Sequence, residues 1–218
     1  MMKKWSMIAG VTAAIICLSA EVQATPTLTI SDNNSGSYTA SGGYLFPGYY
    51  DVQSTADVTV GNWTVNYDGS AGFGLNLSGY AQYGGSAGLG DQLTIKWTFD
   101  NFDAFAGSYH ETVGGTMDSL SSITSSTFSV LVNGSPLSGF NQSFTGSSGF
   151  TRTVSDIVTA AAGSPVTFEI DLTANGSGGP ITFSQYLDAP SVPDGGATVL
   201  LLGVALSVIG LARKLKMA

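Results

Sequence analysis

His110 is the only histidine of the chain, and a Ser-His-Asp catalytic triad would have to use it as the general base. It lies between Tyr109 and Glu111 in a segment that the sequence predicts as a loop. A histidine in a solvated loop has neither a fixed orientation nor a fixed partner. We therefore interpret His110 as an exposed loop residue rather than a catalytic one.

Two carboxylates, Glu169 and Asp171, stand two positions apart in a predicted strand, which places both on the same face. The Glu-Ile-Asp sequence resembles the core of a β-sandwich glycosidase of the laminarinase type. That resemblance implies a further acid shortly afterwards as proton donor, but Thr173 and Ala174 follow here. We interpret the pair as a polar strand face, on which two like charges require a counter-charge or an ion.

Three oxygen-bearing side chains, Asp100, Asn101 and Asp103, stand at the end of the predicted strand Asp91 to Asp100. Calcium binds six to eight hard oxygen ligands, so these residues offer half of a calcium site. The alternative is that they cap the turn through Asx hydrogen bonds. Calcium is the only cofactor that the sequence suggests.

The charge of residues 25–190 is strongly acidic, with 13 acidic and 2 basic side chains and a net charge of −11. Such a surface disfavours nucleic acid and anionic lipid as partners. The only cysteine, Cys17, lies near the start of the chain, so this segment has neither a disulfide nor a cysteine-based metal site.

Alternating apolar and polar residues between Gly-rich and Asn-rich turns predict nine to eleven short strands, and hence an all-β fold. The clearest are Asp91 to Asp100 and Val166 to Thr173, and Asn133-Gly134 predicts a hairpin turn. Asp156 to Ala162 is predicted to form one or two helical turns. The pattern indicates a single antiparallel β-sandwich or jelly roll over residues 25–190.

Residues 1–24 have the three regions of a secretory signal peptide. Lys3 and Lys4 supply the positive charge, an apolar stretch follows, and Val22-Gln23-Ala24 places small or compact side chains before a cleavage site. The sequence thus predicts export, with cleavage after Ala24.

The C-terminal segment, residues 191–218, has three consecutive parts. The turn-forming motif comprises Val192, Pro193, Asp194, Gly195 and Gly196. Residues 197–212 are uncharged and apolar all round a helix, which predicts a transmembrane helix of about 24 Å at 1.5 Å per residue. Residues 213–218 carry the cations that would hold this end in the cytoplasm by the positive-inside rule. They are Arg213, Lys214 and Lys216.

This tripartite layout resembles the PEP-CTERM class of bacterial sorting signals, and more closely its VPDSG-CTERM variant, with Gly195 where that variant has serine. The resemblance implies recognition by a membrane exosortase, anchoring through the helix before processing, and a Gram-negative envelope or biofilm setting rich in exopolysaccharide. Residues 25–187 also look like a recurrent type of cargo for such tails.

These features together predict a non-catalytic structural or adhesive protein of the cell surface or extracellular matrix. The alternative is a carbohydrate-binding module, with or without calcium; a glycoside hydrolase comes third. Under the carbohydrate-binding hypothesis Tyr44, Phe46, Tyr49, Tyr50 or Trp63 would stack on sugar rings, whereas a sandwich would otherwise bury such aromatics in its core.

Overall fold

The computed structural model is an all-β protein of two stacked sheets. The described part of the chain contains no helix, and therefore no helix there that is long and apolar enough to cross a membrane. The predicted signal peptide, residues 1–24, and sorting segment, residues 191–218, lie outside the described residues. The described residues are 25–34, 36–46, 49–71, 74–86, 90–102, 107–117, 122–146, 149–158 and 164–188.

Fourteen strands follow one another along the described chain, more than the nine to eleven that the sequence predicts. They are β1 Thr27–Asp32, β2 Ser37–Ser41, β3 Gly43–Phe46, β4 Tyr49–Gln53, β5 Val58–Val60, β6 Trp63–Ala71, β7 Gly74–Tyr83, β8 Asp91–Phe102, β9 Gly107–Met117, β10 Ile123–Val132, β11 Ser135–Thr145, β12 Gly149–Val158, β13 Ser164–Ala174 and β14 Ile181–Asp188.

The strands form two antiparallel sheets, which confirms the predicted sandwich. The smaller sheet has six strands in the order β11-β10-β13-β8-β1-β2. The larger sheet has eight, in the order β12-β9-β14-β7-β6-β4-β3, with β5 paired beside β6. Neighbours in the sheets are mostly distant in sequence, so long-range pairing defines the fold.

The core lies between the sheets because each central strand alternates buried apolar residues with polar ones. In β8 the buried side chains are Leu93, Ile95, Trp97 and Phe99, the set that the sequence places on one face. Strand β13 buries its predicted apolar positions in the same way. Those positions are Val166, Phe168, Ile170 and Leu172.

The Asn133-Gly134 hairpin is confirmed. Val132 pairs with Ser135, so only two residues connect β10 to β11. Their φ angles are 52° for Asn133 and 74° for Gly134. Two successive positive φ angles define a type I′ turn, whose twist matches that of the adjoining strands.

Two local predictions are wrong. Helical turns are predicted at Asp156 to Ala162, but residues 156–158 form the end of β12 and pair with β9, while residues 159–162 lie outside the described part. His110 lies within β9 and not in a loop. In both cases the hydrogen-bonded neighbour strands override weak local preferences.

Candidate ligand-binding face

The outer face of the larger sheet is formed by the residues of β4, β6, β7, β14, β9 and β12 that point away from the core. The strand register aligns these residues in rows across the sheet: Asn66, Tyr80, Thr182 and Thr116 form one row, and Ser70, Asn76, Tyr186 and Thr112 form another. The face therefore presents hydroxyl, amide and carboxylate groups together with tyrosine rings.

Among the described residues, Tyr186 is the one large hydrophobic residue that is exposed, with 40% of its surface accessible. Its ring lies over Gly74 of β7, where a Cβ atom would come within 3.1 Å of the tyrosine hydroxyl oxygen and 3.2 Å of Cε2. Glycine thus permits the ring to approach the sheet closely. The hydroxyl group donates a hydrogen bond of 3.5 Å to Asp188.

Tyr80 is the second ring on this face and is held by polar contacts. Its hydroxyl donates to Asp57 Oδ1 at 2.5 Å, and the same oxygen accepts a 3.3 Å hydrogen bond from Asn66 Nδ2. Tyr80 opposes Thr182, four positions from Tyr186 on β14. At about 3.3 Å per residue, the two tyrosines stand roughly 13 Å apart along the strand direction.

Paired hydroxyl groups surround the tyrosines. The hydroxyls of Thr116 and Thr182 lie 2.7 Å apart, and those of Thr112 and Thr153 lie 3.1 Å apart. Each hydroxyl can both donate and accept, so these groups can also bind the hydroxyls of a ligand. An apolar ring beside groups of this type is the usual composition of a site that orients a polar organic ligand.

His110 also lies on this face, where its Nδ1 is 2.6 Å from the Ser155 hydroxyl oxygen. Asp188 is the residue directly opposite His110 on β14. The three residues have the composition of a hydrolytic triad, but the reaction also requires donors directed at an oxyanion. The backbone amides of β9 are used for pairing with β12 and β14. We interpret the group as polar surface, which agrees with the predicted exposure of His110.

Glu169 and Asp171 stand on the opposite side of the molecule, on the outer face of the smaller sheet. Lys96 forms an ion pair with Glu169, and Thr94 Oγ1 donates a 2.6 Å hydrogen bond to Asp171 Oδ1. Burial is the main reason that the pKa of Asp171 is raised, and the charge of Glu169 raises it further. The counter-charge that the sequence requires is therefore present as Lys96.

The calcium prediction is not tested by the structure. Asp100 is exposed near the end of β8, Asn101 follows it in the same strand, and Asp103 lies outside the described residues. Among the residues that are described, no three acidic, histidine or cysteine side chains group closely enough to hold a metal ion.

Two of the aromatic residues that the sequence singles out, Trp63 and Tyr50, pack in or against the core and not on the candidate face. Trp63 is 1% exposed and packs against Tyr83 with ring centroids 5.1 Å apart, so it cannot stack on a sugar. Tyr50 packs edge-to-face on Phe99. Tyr49 is half-buried in β4, and the side chains of Tyr44 and Phe46 lie outside the described part of the structure.

Sequence reasoning overlooked Tyr80 and Tyr186, although a signal for Tyr186 was present. In the predicted strand from Ile181 to Leu187, the residues Ile181, Phe183 and Leu187 share one phase, and Tyr186 falls in the other. An aromatic residue out of phase with the core positions of its strand points to solvent.

Glu111 is a buried acid that the sequence did not identify. It is fully buried between the sheets and accepts a 2.7 Å hydrogen bond from Gln185 Nε2, which also donates to the Ser129 carbonyl at 3.2 Å. Burial raises the pKa of Glu111 to about 7, although the bond from Gln185 acts in the opposite direction. Among the described residues, Glu111 Oε2 and Gln185 Oε1 have no hydrogen-bond partner.

The C-terminal residues of the chain match a known protein family. Residues 191–216 match the family described as the VPDSG-CTERM motif. The chain carries a VPDSG-CTERM sorting signal. This confirms the resemblance found in the sequence, and such a motif is a C-terminal sorting signal of exosortase-type substrates. No curated protein matches the chain.

Solved structures with similar folds include three carbohydrate-binding modules. The family 35 module from Clostridium thermocellum is 15% identical, over 65% of this chain and 91% of its own, with a TM-score of 0.31. The CBM35 of Paenibacillus barcinonensis is 18% identical, over 65% and 98%, with a TM-score of 0.33. TmCBM61, solved with β-1,4-galactotriose, is 9% identical, over 75% and 88%, with a TM-score of 0.34. Similarities this low do not assign a ligand to this chain.

Proposed function

We propose that this protein is an exported, non-catalytic component of the bacterial cell surface or extracellular matrix, structural or adhesive in role. The observation that carries the proposal is the sorting signal at residues 191–216, which marks substrates of a membrane exosortase. The acidic sandwich would be the exported part. Residues 1–24 would direct export, and residues 197–212 would hold the protein in the membrane until it is processed.

Cell fractionation tests this proposal. We expect the full chain in the surface or matrix fraction of a bacterium that contains an exosortase. We expect the same chain without residues 191–218 to leave that fraction, because exosortase then has no signal to recognise. A full chain found only in the cytoplasm, or as a soluble periplasmic pool, would contradict the proposal.

The adhesive role would be exercised by the outer face of the larger sheet, with a polysaccharide as the ligand. Support comes from the exposed ring of Tyr186 over Gly74, beside hydroxyl and amide groups that can bind sugar hydroxyls. The apolar face of a sugar ring packs on an aromatic side chain, while the surrounding polar groups orient its hydroxyls. Exopolysaccharide of the same matrix is the expected partner.

Substitution of Tyr186 tests the adhesive role in the purified full chain. We expect Tyr186→Ala to weaken retention on polysaccharide about tenfold, which corresponds to roughly 1.4 kcal/mol. Tyr186→Phe keeps the ring and loses only the bond to Asp188, so it should retain most of the affinity. If Tyr186→Ala binds as well as the unmodified chain, the outer face of the larger sheet is not the binding surface.

A further inference from the structure

Carboxylates are distributed unequally between the two outer surfaces of the sandwich. Asp51, Asp68 and Asp188 point outward from β4, β6 and β14 of the larger sheet, and Asp57 contacts Tyr80 of the same face. His110 is the described basic side chain that points outward from this sheet, and it lies opposite Asp188 rather than near Asp51 and Asp68. Lys96 belongs to the smaller sheet, and Arg152 alternates with the outward residues of β12.

The carboxylates of the larger sheet also repel one another. Asp51 opposes Ser70, two positions from Asp68 on β6, so the two acids are diagonal neighbours on adjacent strands. Burial raises the pKa of Asp68, and the negative charge of Asp51 raises it further. A cation that bound between them would relieve this repulsion.

The outer face of the smaller sheet is different, because it carries a lysine and two of its acids have partners. Glu169 pairs with Lys96, and Asp171 accepts the hydrogen bond from Thr94. Among the described residues, neither a lysine nor an arginine points outward from the sheet that carries Tyr80 and Tyr186. The negative potential and the aromatic rings coincide on one surface.

We propose that the outer face of the larger sheet binds a polysaccharide with free amino groups, such as a deacetylated amino-sugar polymer, in preference to neutral or acidic polysaccharides. Sugar rings would pack on Tyr186 and Tyr80, and protonated amines would lie against Asp51 and Asp68. This inference rests on the proposed adhesive function and specifies its ligand class. A regular polymer suits the face because the rings and carboxylates are spread over several strands. A single small cation would contact only a small part of such a surface.

The test compares short, soluble chains of three polymers as probes of the full protein: poly-glucosamine, its fully N-acetylated form and a polyuronate. Binding is measured at a pH below the pKa of the polymer amines. We expect poly-glucosamine to bind most tightly, with an affinity that falls as salt is added, because exposed charges are screened within a Debye length. The polyuronate should bind least, since its charge has the same sign as the face.

Variants separate the inference from the adhesive function beneath it. We expect Asp51→Asn with Asp68→Asn to weaken poly-glucosamine binding about tenfold, which is roughly threefold for each exposed charge, and to leave binding of the acetylated polymer unchanged. The matched control is Asp171→Asn, which removes one negative charge from the opposite sheet and should leave both affinities unchanged. Thermal unfolding of each variant checks that the sandwich remains folded.

Each outcome has a distinct meaning. Equal affinity for the amine and acetylated polymers, tighter polyuronate binding, or the same loss in Asp171→Asn as in the double variant would overturn the inference and leave the adhesive function in place. Failure of the unmodified chain to bind any of the three, or any other polysaccharide, would overturn the adhesive function itself.

Discussion

Individual side chains fix the chemistry of this sandwich, and Glu111 is the one whose environment differs most from water. It is a carboxyl group fully buried between two sheets, with a single described hydrogen bond, from Gln185. Placing a charge there costs free energy, so Glu111 keeps its proton to a higher pH in the folded protein than in the unfolded chain. Stability must therefore depend on pH through this residue.

At the scale of single residues, we predict how Glu111→Gln changes the pH dependence of the free energy of unfolding. Between the unfolded pKa of 4.5 and the folded value of about 7, the folded state keeps a proton that the unfolded state has released. The free energy of unfolding of the unmodified chain should therefore fall as the pH rises through this interval, by about 3 kcal/mol in total, and then level off. The neutral amide of the variant removes that term.

Chemical denaturation at a series of pH values measures the effect. Asp68 and Asp171 also have raised pKa values, and they contribute equally to both proteins. The difference between variant and unmodified chain therefore isolates Glu111. We expect the variant to gain relative stability from pH 4.5 to pH 7; parallel curves over that range would show that Glu111 ionises without cost.

At the scale of elements, some strands are predictable from sequence because a single face of each is buried. β8 and β13 lie inside the smaller sheet, and their alternation correctly places the apolar residues from Leu93 to Phe99 and from Val166 to Leu172. The hairpin between β10 and β11 is equally local, since two residues with positive φ determine it. The exposure of Tyr186 is also predictable from sequence, because it alternates with the buried residues of β14.

Other features are decided by pairing between distant segments and have no local signal. β9 and β12 are rich in Gly, Thr and Ser, and they form strands because each pairs with a neighbour about 40 residues away. The contact between His110 and Ser155 joins residues 45 positions apart and follows from that register. The same holds for the placement of Asp51, Asp68 and Asp188 on one surface. Sequence can provide the residues of the site but not their assembly.

Gly134 provides the prediction for the hairpin element. Its φ angle of 74° lies in the left-handed region, where a Cβ atom strains the backbone although no atom lies within 4 Å of it. We expect Gly134→Ala to lower the free energy of unfolding by about 1 kcal/mol. The matched control is Gly43→Ala in β3, where a Cβ would have the Asp51 carbonyl oxygen as its neighbour, at 3.9 Å. Equal losses in the two variants, measured by urea denaturation, would contradict this account of the turn.

At the scale of the whole molecule, charge and topology act together. Residues 25–190 carry a net charge of −11, and the fold places Asp51 and Asp68 close together on the sheet whose outer face also carries Tyr80 and Tyr186. The sorting signal at residues 191–216 is the part of the chain that family comparison identifies. In our account, the signal brings the protein to the cell surface and the larger sheet keeps it there by adhesion to polysaccharide.

Enzymatic removal of the matrix polysaccharide, followed by fractionation, tests this account most directly. We expect digestion to release the processed protein from the surface and matrix into the medium, because its adhesion then has no ligand. Tyr186→Ala should appear in the medium without digestion, and Tyr186→Phe should require it. A protein that stays in the matrix fraction after complete digestion, with Tyr186→Ala behaving identically, would contradict the claim that the outer face of the larger sheet holds it there.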